Sequence, residues 1–264
     1  MTNTPAYSAD ELCQAIARGQ SFRGVDLQGI DLAGRDLSRA NLSGANLNEA
    51  NLSGANCQGI DLRGTYAIAA NLSGVNFQNG LLHRMQLQKA NLQGTNLEGA
   101  KLQLACYDRE TIWPENYAYK TCGAIGPYAS LGGVFLNTAN LRGADLYRAN
   151  LRGAYLSGAD LTGANLQEAA LSGANLKRAF LTGACLRDAR LNSAELQEAD
   201  LRAADLTGAS FDNVENIAGA DFSLAWGLSD STRKMLCGYL GKERETWNAY
   251  TRAHTTEGLS CQEF

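Results

Sequence analysis

Histidine is almost missing from this sequence, with only His83 and His254 in 264 residues. Proline is nearly as scarce at three, and aromatic side chains make up 8%. No stretch approaches the roughly 18 consecutive apolar residues that a membrane-spanning helix needs. Neither sign of charge dominates, since 23 basic and 27 acidic residues leave a net charge of −4.

Each shortage excludes a class of function. Two histidines and no GxSxG, HExxH, P-loop or GxGxxG motif leave no set of catalytic residues, so no enzyme is expected. A near-balanced charge lacks the clustered positive footprint of a nucleic-acid binder. The opening residues, MTNTPAYSADELCQAIARGQ, show no basic segment followed by an apolar one, so no signal peptide and a cytoplasmic location are expected. Seven cysteines without a CxxC pair imply neither metal nor cofactor, and suggest reduced thiols. Should any pair be oxidised, Cys106–Cys122 is the first candidate and Cys237–Cys261 the second.

What the chain does have is 28 glycines and one phrase, Ala-Asn/Asp-Leu-x-Gly, said over and over. With the central large residue called i, the phrase recurs every five residues from Phe22 to Tyr107, eighteen times. Fifteen of those positions hold Leu or Phe, the exceptions being Cys57, Ala67 and Tyr107. A second run, Leu131 to Phe211, keeps Leu or Phe at all seventeen positions, with Ala at i−2 in sixteen. A period of five is neither helical nor that of a plain strand. It fits a short extended piece followed by a corner. In extended chain i−2 and i point to one side, so Ala and Leu face inward while i−1 faces outward. Gly at i+2 suits a tight corner, and Asn or Asp at i−1 can bond to the turn backbone. Stacked coils then pair as parallel strands.

The phrase A(D/N)LxG, over about residues 20–107 and 129–222, resembles the pentapeptide-repeat family, abundant in cyanobacteria. The resemblance implies an all-β fold, a right-handed quadrilateral parallel β-helix with four phrases, hence twenty residues, per coil. The two runs would then make about nine coils. The expected organisation is an N-terminal capping helix (1–19), a first run (20–107), an aromatic-rich insertion (108–130), a second run (131–222) and a C-terminal helical cap and tail (223–264). One nearly continuous stack with the insertion bulging from its side is expected. A twenty-residue register would also set Arg148 over Glu168 and Arg178 over Glu198.

Ser8 and Glu11 form a capping-box pattern, predicting a helix over 9–18 with Leu12 and Ile16 on one face. Met235, Leu236, Tyr239, Leu240, Trp247 and Tyr250 recur at helical spacing, and the last ten residues are expected to be disordered. Arg35 takes an inward slot and should reach past the open coil end to Asp10 or Glu11. Thr65 and Ala67 leave one corner underfilled. The insertion holds Trp113 and Tyr117, which either pin the loop or form a docking surface.

Phe135, Tyr155 and Phe180 occupy outward slots where Asn or Asp is usual, with Arg142 and Arg152 on or near the same stretch. These five, with Trp113 and Tyr117, are the candidate protein-contact residues; no catalytic, cofactor or metal residue is proposed. The expected function is a non-catalytic scaffold or regulatory protein, a monomer whose rigid faces bind an unidentified protein, not nucleic acid or membrane. The alternative, also from the resemblance, is a DNA mimic that inhibits or protects DNA gyrase, as in the quinolone-resistance branch. Mimicry needs an acidic stripe, whereas residues 20–107 carry seven basic and six acidic residues and 131–213 carry eight and nine. The remaining outward carboxylates, Asp145, Asp160, Asp200 and Asp205, read as solvated corner groups.

Overall fold

The computed structural model describes residues 7–239 and 246–261. The chain forms two compact units, Met1–Gly126 and Pro127–Phe264, and the division falls inside the expected insertion. In both, the inner columns follow from the phrase. Leu27, Leu47, Leu151 and Leu171 at i, and Ala45, Ala149 and Ala169 at i−2, are fully buried. Removing a Leu side chain from water contributes about 1.5–3 kcal/mol, and each coil adds another layer.

The stacking register is twenty residues. Parallel bridges join Asp26 to Asn46, Asn46 to Tyr66 and Tyr66 to Gln86, and in the second unit Asn140 to Asp160 and Asp160 to Phe180. Four phrases therefore close one coil, and each coil has four sides. Backbone bonds run both ways, for example Leu27 N–H to Asn46 O at 2.8 Å and Asn46 N–H to Val25 O at 2.9 Å.

Each corner is a tight turn in which the N–H of the next i−2 residue donates to O of i, as from Ile30 to Leu27 at 3.1 Å. The third turn residue takes a positive φ, such as 69° at Gly29, which marks a type II turn and favours Gly. Several corners nonetheless hold other residues there, including Arg84 (φ 58°) and the β-branched Thr138 (φ 55°).

Outward Asx residues do two jobs. Asp26 Oδ1 accepts the Gln28 N–H at 3.2 Å, the local bond expected, and also the Asn46 side-chain amide at 2.8 Å. The second bond links coil to coil and makes ladders such as Asp36–Asn56–Asn76–Asn96. Asp begins each of these ladders, in the coil with no earlier neighbour, where an acceptor-only carboxylate leaves no amide N–H without a partner.

Helix α1 (Ala9–Ala17) opens on the capping box, with Ser8 and Glu11 bonded reciprocally. Its Leu12 is fully buried in the core of the first unit, with Ile16 packed against that core. The Ser8 bonds hold the Glu11 carboxyl below its usual range. Arg35 reaches out of the coil end to Asp10, 2.8 Å away, as its slot demanded. Thr65 leaves no defect, because its buried hydroxyl donates to Leu42 O at 2.9 Å.

Three expectations are corrected. Residues 108–125 do not bulge aside, since Ile112 and Ile125 bridge in parallel to Asn91 and Cys106. The C-terminal helix α2 spans Asp230–Tyr239; Trp247 instead forms an antiparallel bridge with His254, and Tyr250 sits in a turn. Leu240 lies outside the described residues. Within the last ten residues, Thr255–Gly258 forms the short helix α3, and Cys261 is bonded to Cys237 across a Cα separation of 5.7 Å. Cys106 and Cys122 are free thiols. A stacked coil end needs covering atoms, and these come from non-periodic chain whose contacts leave no period to read. Among the described residues no helix is long and apolar enough to cross a membrane.

Candidate functional site

The i−1 column that begins at Phe135 departs most from the Asx ladder. Phe135 and Tyr155 stand twenty residues apart, and their rings stack at 4.6 Å with an interplanar angle of 5°. Both point outward: Phe135 is 73% exposed and Tyr155 44%. The bridge fixes the register, so adjacent coils, ~4.8 Å apart, hold the rings at stacking distance. The backbone thus presents a flat, rigid apolar surface. Such rings lose little rotamer freedom on contact, which suits them to recognition.

The other candidate residues divide. Arg152 is exposed and lies one corner before Tyr155, so it flanks the stack. Arg142 lies one side further on and is tied to Asp160 at 3.4 Å. Burial raises the Asp160 carboxyl, but the Thr162 and Arg142 hydrogen bonds outweigh it and leave it lowered. Phe180 is only half-exposed, in contact with Tyr250 at 5.7 Å, and so serves as a seat for the C-terminal segment.

Trp113 and Tyr117 belong to the first unit and pack on each other. Trp113 stacks with Tyr119 at 5.3 Å and Tyr117 at 5.8 Å, and meets the buried Tyr107 edge-on at 5.2 Å. Burial, reinforced by Cys122, pushes the Tyr117 hydroxyl up to about 12. This cluster pins residues 108–125 to the core, so the structural reading of these aromatics is the one the geometry supports.

Charge on the second unit is paired in register. Arg148 meets Glu168 and Arg178 meets Glu198, each at 2.7 Å. Asp200 corrects the expectation of a solvated corner: it is 4% exposed and accepts from the Thr182 hydroxyl at 2.8 Å and from Arg202 Nε and Nη2, both at 2.9 Å. Burial raises its carboxyl, yet those bonds together hold it below the usual range.

One buried residue gave no sequence signal. The Asn248 side chain donates to Glu198 O at 3.2 Å and Gly219 O at 2.8 Å, and accepts from the Tyr250 and Thr251 N–H groups. It satisfies carbonyls on the last coils of the second unit.

Comparison with known proteins agrees with this construction. Residues 31–66, 68–105, 128–158, 154–192 and 184–225 match Pentapeptide repeats, in eight copies. Among solved structures, alr5209, a pentapeptide repeat protein from Nostoc Pcc 7120, is 34% identical, over 46% of this chain and 98% of its own, with a TM-score of 0.41. HetL, a pentapeptide repeat protein involved in heterocyst differentiation regulation from the cyanobacterium Nostoc sp. strain PCC 7120, is 30% identical, over 83% of this chain and 96% of its own, with a TM-score of 0.35. QnrB1, a plasmid-mediated fluoroquinolone resistance protein, is 18% identical, over 82% of this chain and 99% of its own, with a TM-score of 0.37. No curated protein matches the chain. By these repeats, which match more than half of its length, the chain belongs to the pentapeptide-repeat family.

Proposed function

We propose that this protein is a non-catalytic binding scaffold that engages another protein through the side of the second unit bearing Phe135 and Tyr155. The observation that carries this reading is the exposed, parallel ring stack, built where the fold would otherwise place an amide ladder. Arg152 beside it supplies the cation that interface cores favour. The same reading takes the coils as right-handed, about nine in all, closed by helical caps, and the protein as a cytoplasmic monomer. In a reducing compartment the Cys237–Cys261 bond would then be opened.

The gyrase-directed alternative is disfavoured by charge. A DNA mimic needs a continuous acidic surface, while Arg148, Arg178, Arg187 and Arg202 each neutralise a carboxylate of the second unit.

Replacing Phe135 and Tyr155 together with Asn restores the usual outward residue and should leave the coil folded. Affinity capture from the source organism should yield a protein retained by the native chain and lost by the double variant. Retention of the same partner at unchanged affinity would reject this surface. Potent inhibition of gyrase supercoiling would reject the class of function.

A further inference from the structure

The first unit carries a second departure from the phrase, at a different corner. Where Asn-Leu-Ser-Gly is usual, residues 81–84 read Leu-Leu-His-Arg. Arg23, Arg63, His83 and Arg84 there line a groove of ≈ 480 Å³ over a floor of Gly44 and Gly64. The glycines take the corner conformation, with φ of 70° and 67°, and put no side chain in the way.

The groove is under-neutralised. Its lining residues include no carboxylate, and of its three guanidiniums Arg63 is paired with Asp61 at 2.7 Å. Arg23 and Arg84 have no acceptor among the described residues, and Arg23 acts on Asp61 only through its field. Three guanidiniums against one carboxylate leave two positive charges.

Two further polar atoms, both of His83, have no partner among the described residues. Leu81 replaces the Asx that would accept the N–H two residues on, as Asn41 and Asp61 do for Ser43 and Arg63 at 3.1 and 3.2 Å. The His83 N–H is therefore without an acceptor among the described residues. His83 Nδ1 is buried and also has no partner among the described residues. Of the two, Nδ1 is the buried one, and a buried polar atom ordinarily has a hydrogen-bond partner.

We infer that this corner binds a compact phosphoryl group, either pyrophosphate or the phosphate of a phosphorylated side chain, through Arg23, Arg63, Arg84 and His83. A phosphate monoester dianion matches the surplus charge and pyrophosphate exceeds it, and guanidiniums hold such oxygens in bidentate fashion. From Arg23 to His83 the column rises only three coils, ~14 Å at strand spacing. The next corner, lined by Gln28, Asn48, Ile68 and Gln88, has one cation, Lys89, and Glu110 pairs with it at 3.1 Å. That is too short and too isolated a track for a nucleic-acid backbone. The site lies on the other unit from Phe135 and Tyr155 and rests on nothing in that reading.

Calorimetric titration at low salt with sodium pyrophosphate, and separately with a phosphoserine hexapeptide, tests this. Saturable binding of either probe supports the site, and the tighter probe identifies the source of the phosphate. Arg84→Gly is the decisive variant, because Gly is the residue the corner prefers at its φ of 58°. It should weaken binding at least tenfold while the melting temperature holds or rises. Arg23→Gln with His83→Ser should weaken it comparably. No binding of either probe, or unchanged affinity in folded Arg84→Gly, overturns the inference. Tighter binding of a single-stranded oligonucleotide than of both probes overturns it in favour of nucleic acid.

Discussion

The two units share their inner columns and differ in their outer ones. In Met1–Gly126 the outer slots are mostly Asx, and the side-chain amides of Asn46, Asn51, Asn56, Asn71, Asn76 and Asn96 bond from coil to coil. In Pro127–Phe264 such a ladder survives between Asp145 and Asn165, while other columns carry stacked rings or ion pairs. The inside is thus dictated by packing, and any outer pair that matches at twenty residues is tolerated. Outer positions are where such a fold can acquire function.

If the cores are equivalent, Leu52→Ala and Leu166→Ala should each cost about 2–5 kcal/mol in denaturant unfolding. A large inequality between them would break the comparison. The units also end differently, the first on chain that continues the parallel bridges and the second on Asn248. Asn248→Ala strands the carbonyls of Glu198 and Gly219 and should cost about 2–4 kcal/mol.

Next comes Arg202→Ala, at about 1–3 kcal/mol, less than for a fully buried pair because the Arg202 side chain is 44% exposed. The Asp200 carboxyl is lowered by folding, so its contribution is complete above the ordinary Asp value of about 3.9 and lost as pH falls through the folded value. Arg202→Ala should shrink that acid-dependent loss, as read in melting temperatures from pH 7 down to about 2.

Asn56→Ala removes ladder bonds on both sides of one coil and should cost about 1 kcal/mol. The Phe135→Asn, Tyr155→Asn double variant should change stability by less than that. Smallest is Thr138→Gly, which relieves a β-branched residue at φ 55° and should stabilise by a few tenths to about 1 kcal/mol.

Much of this was legible in the residues. The Ala and Leu columns, the corner glycines, the Ser8–Glu11 box, the Arg35–Asp10 pair and both in-register Arg–Glu pairs follow from a period and a direction of side chains. Asn248 and the seating of Phe180 under Tyr250 did not, and the Cys237–Cys261 bond stood only second to Cys106–Cys122 in a chain expected to be reduced, because all three depend on how non-periodic chain folds back over a periodic end. The Trp113 cluster was ambiguous for a similar reason: aromatic content alone does not say whether rings face a partner or each other. Leu81 stood out as a broken phrase, but its effect on His83 needed the hydrogen bonds.

The twenty-residue register also bears on how the chain reaches its native state. Parallel sheets ordinarily fold slowly, because their strands must find one another across long loops. Here bridged residues are typically 20 apart in a chain of 264, a ratio of about 0.08, which lies in the range of helical bundles. Coils can therefore wind on quickly, one against the last. The hazard is a slip by one phrase, which the near-identical inner columns would scarcely resist. Matched outer pairs, and the 21-residue step from Glu195 to Asn216, make one alignment better than the rest. The irregularities on the surface act as keys that stop a repetitive chain from closing in the wrong place.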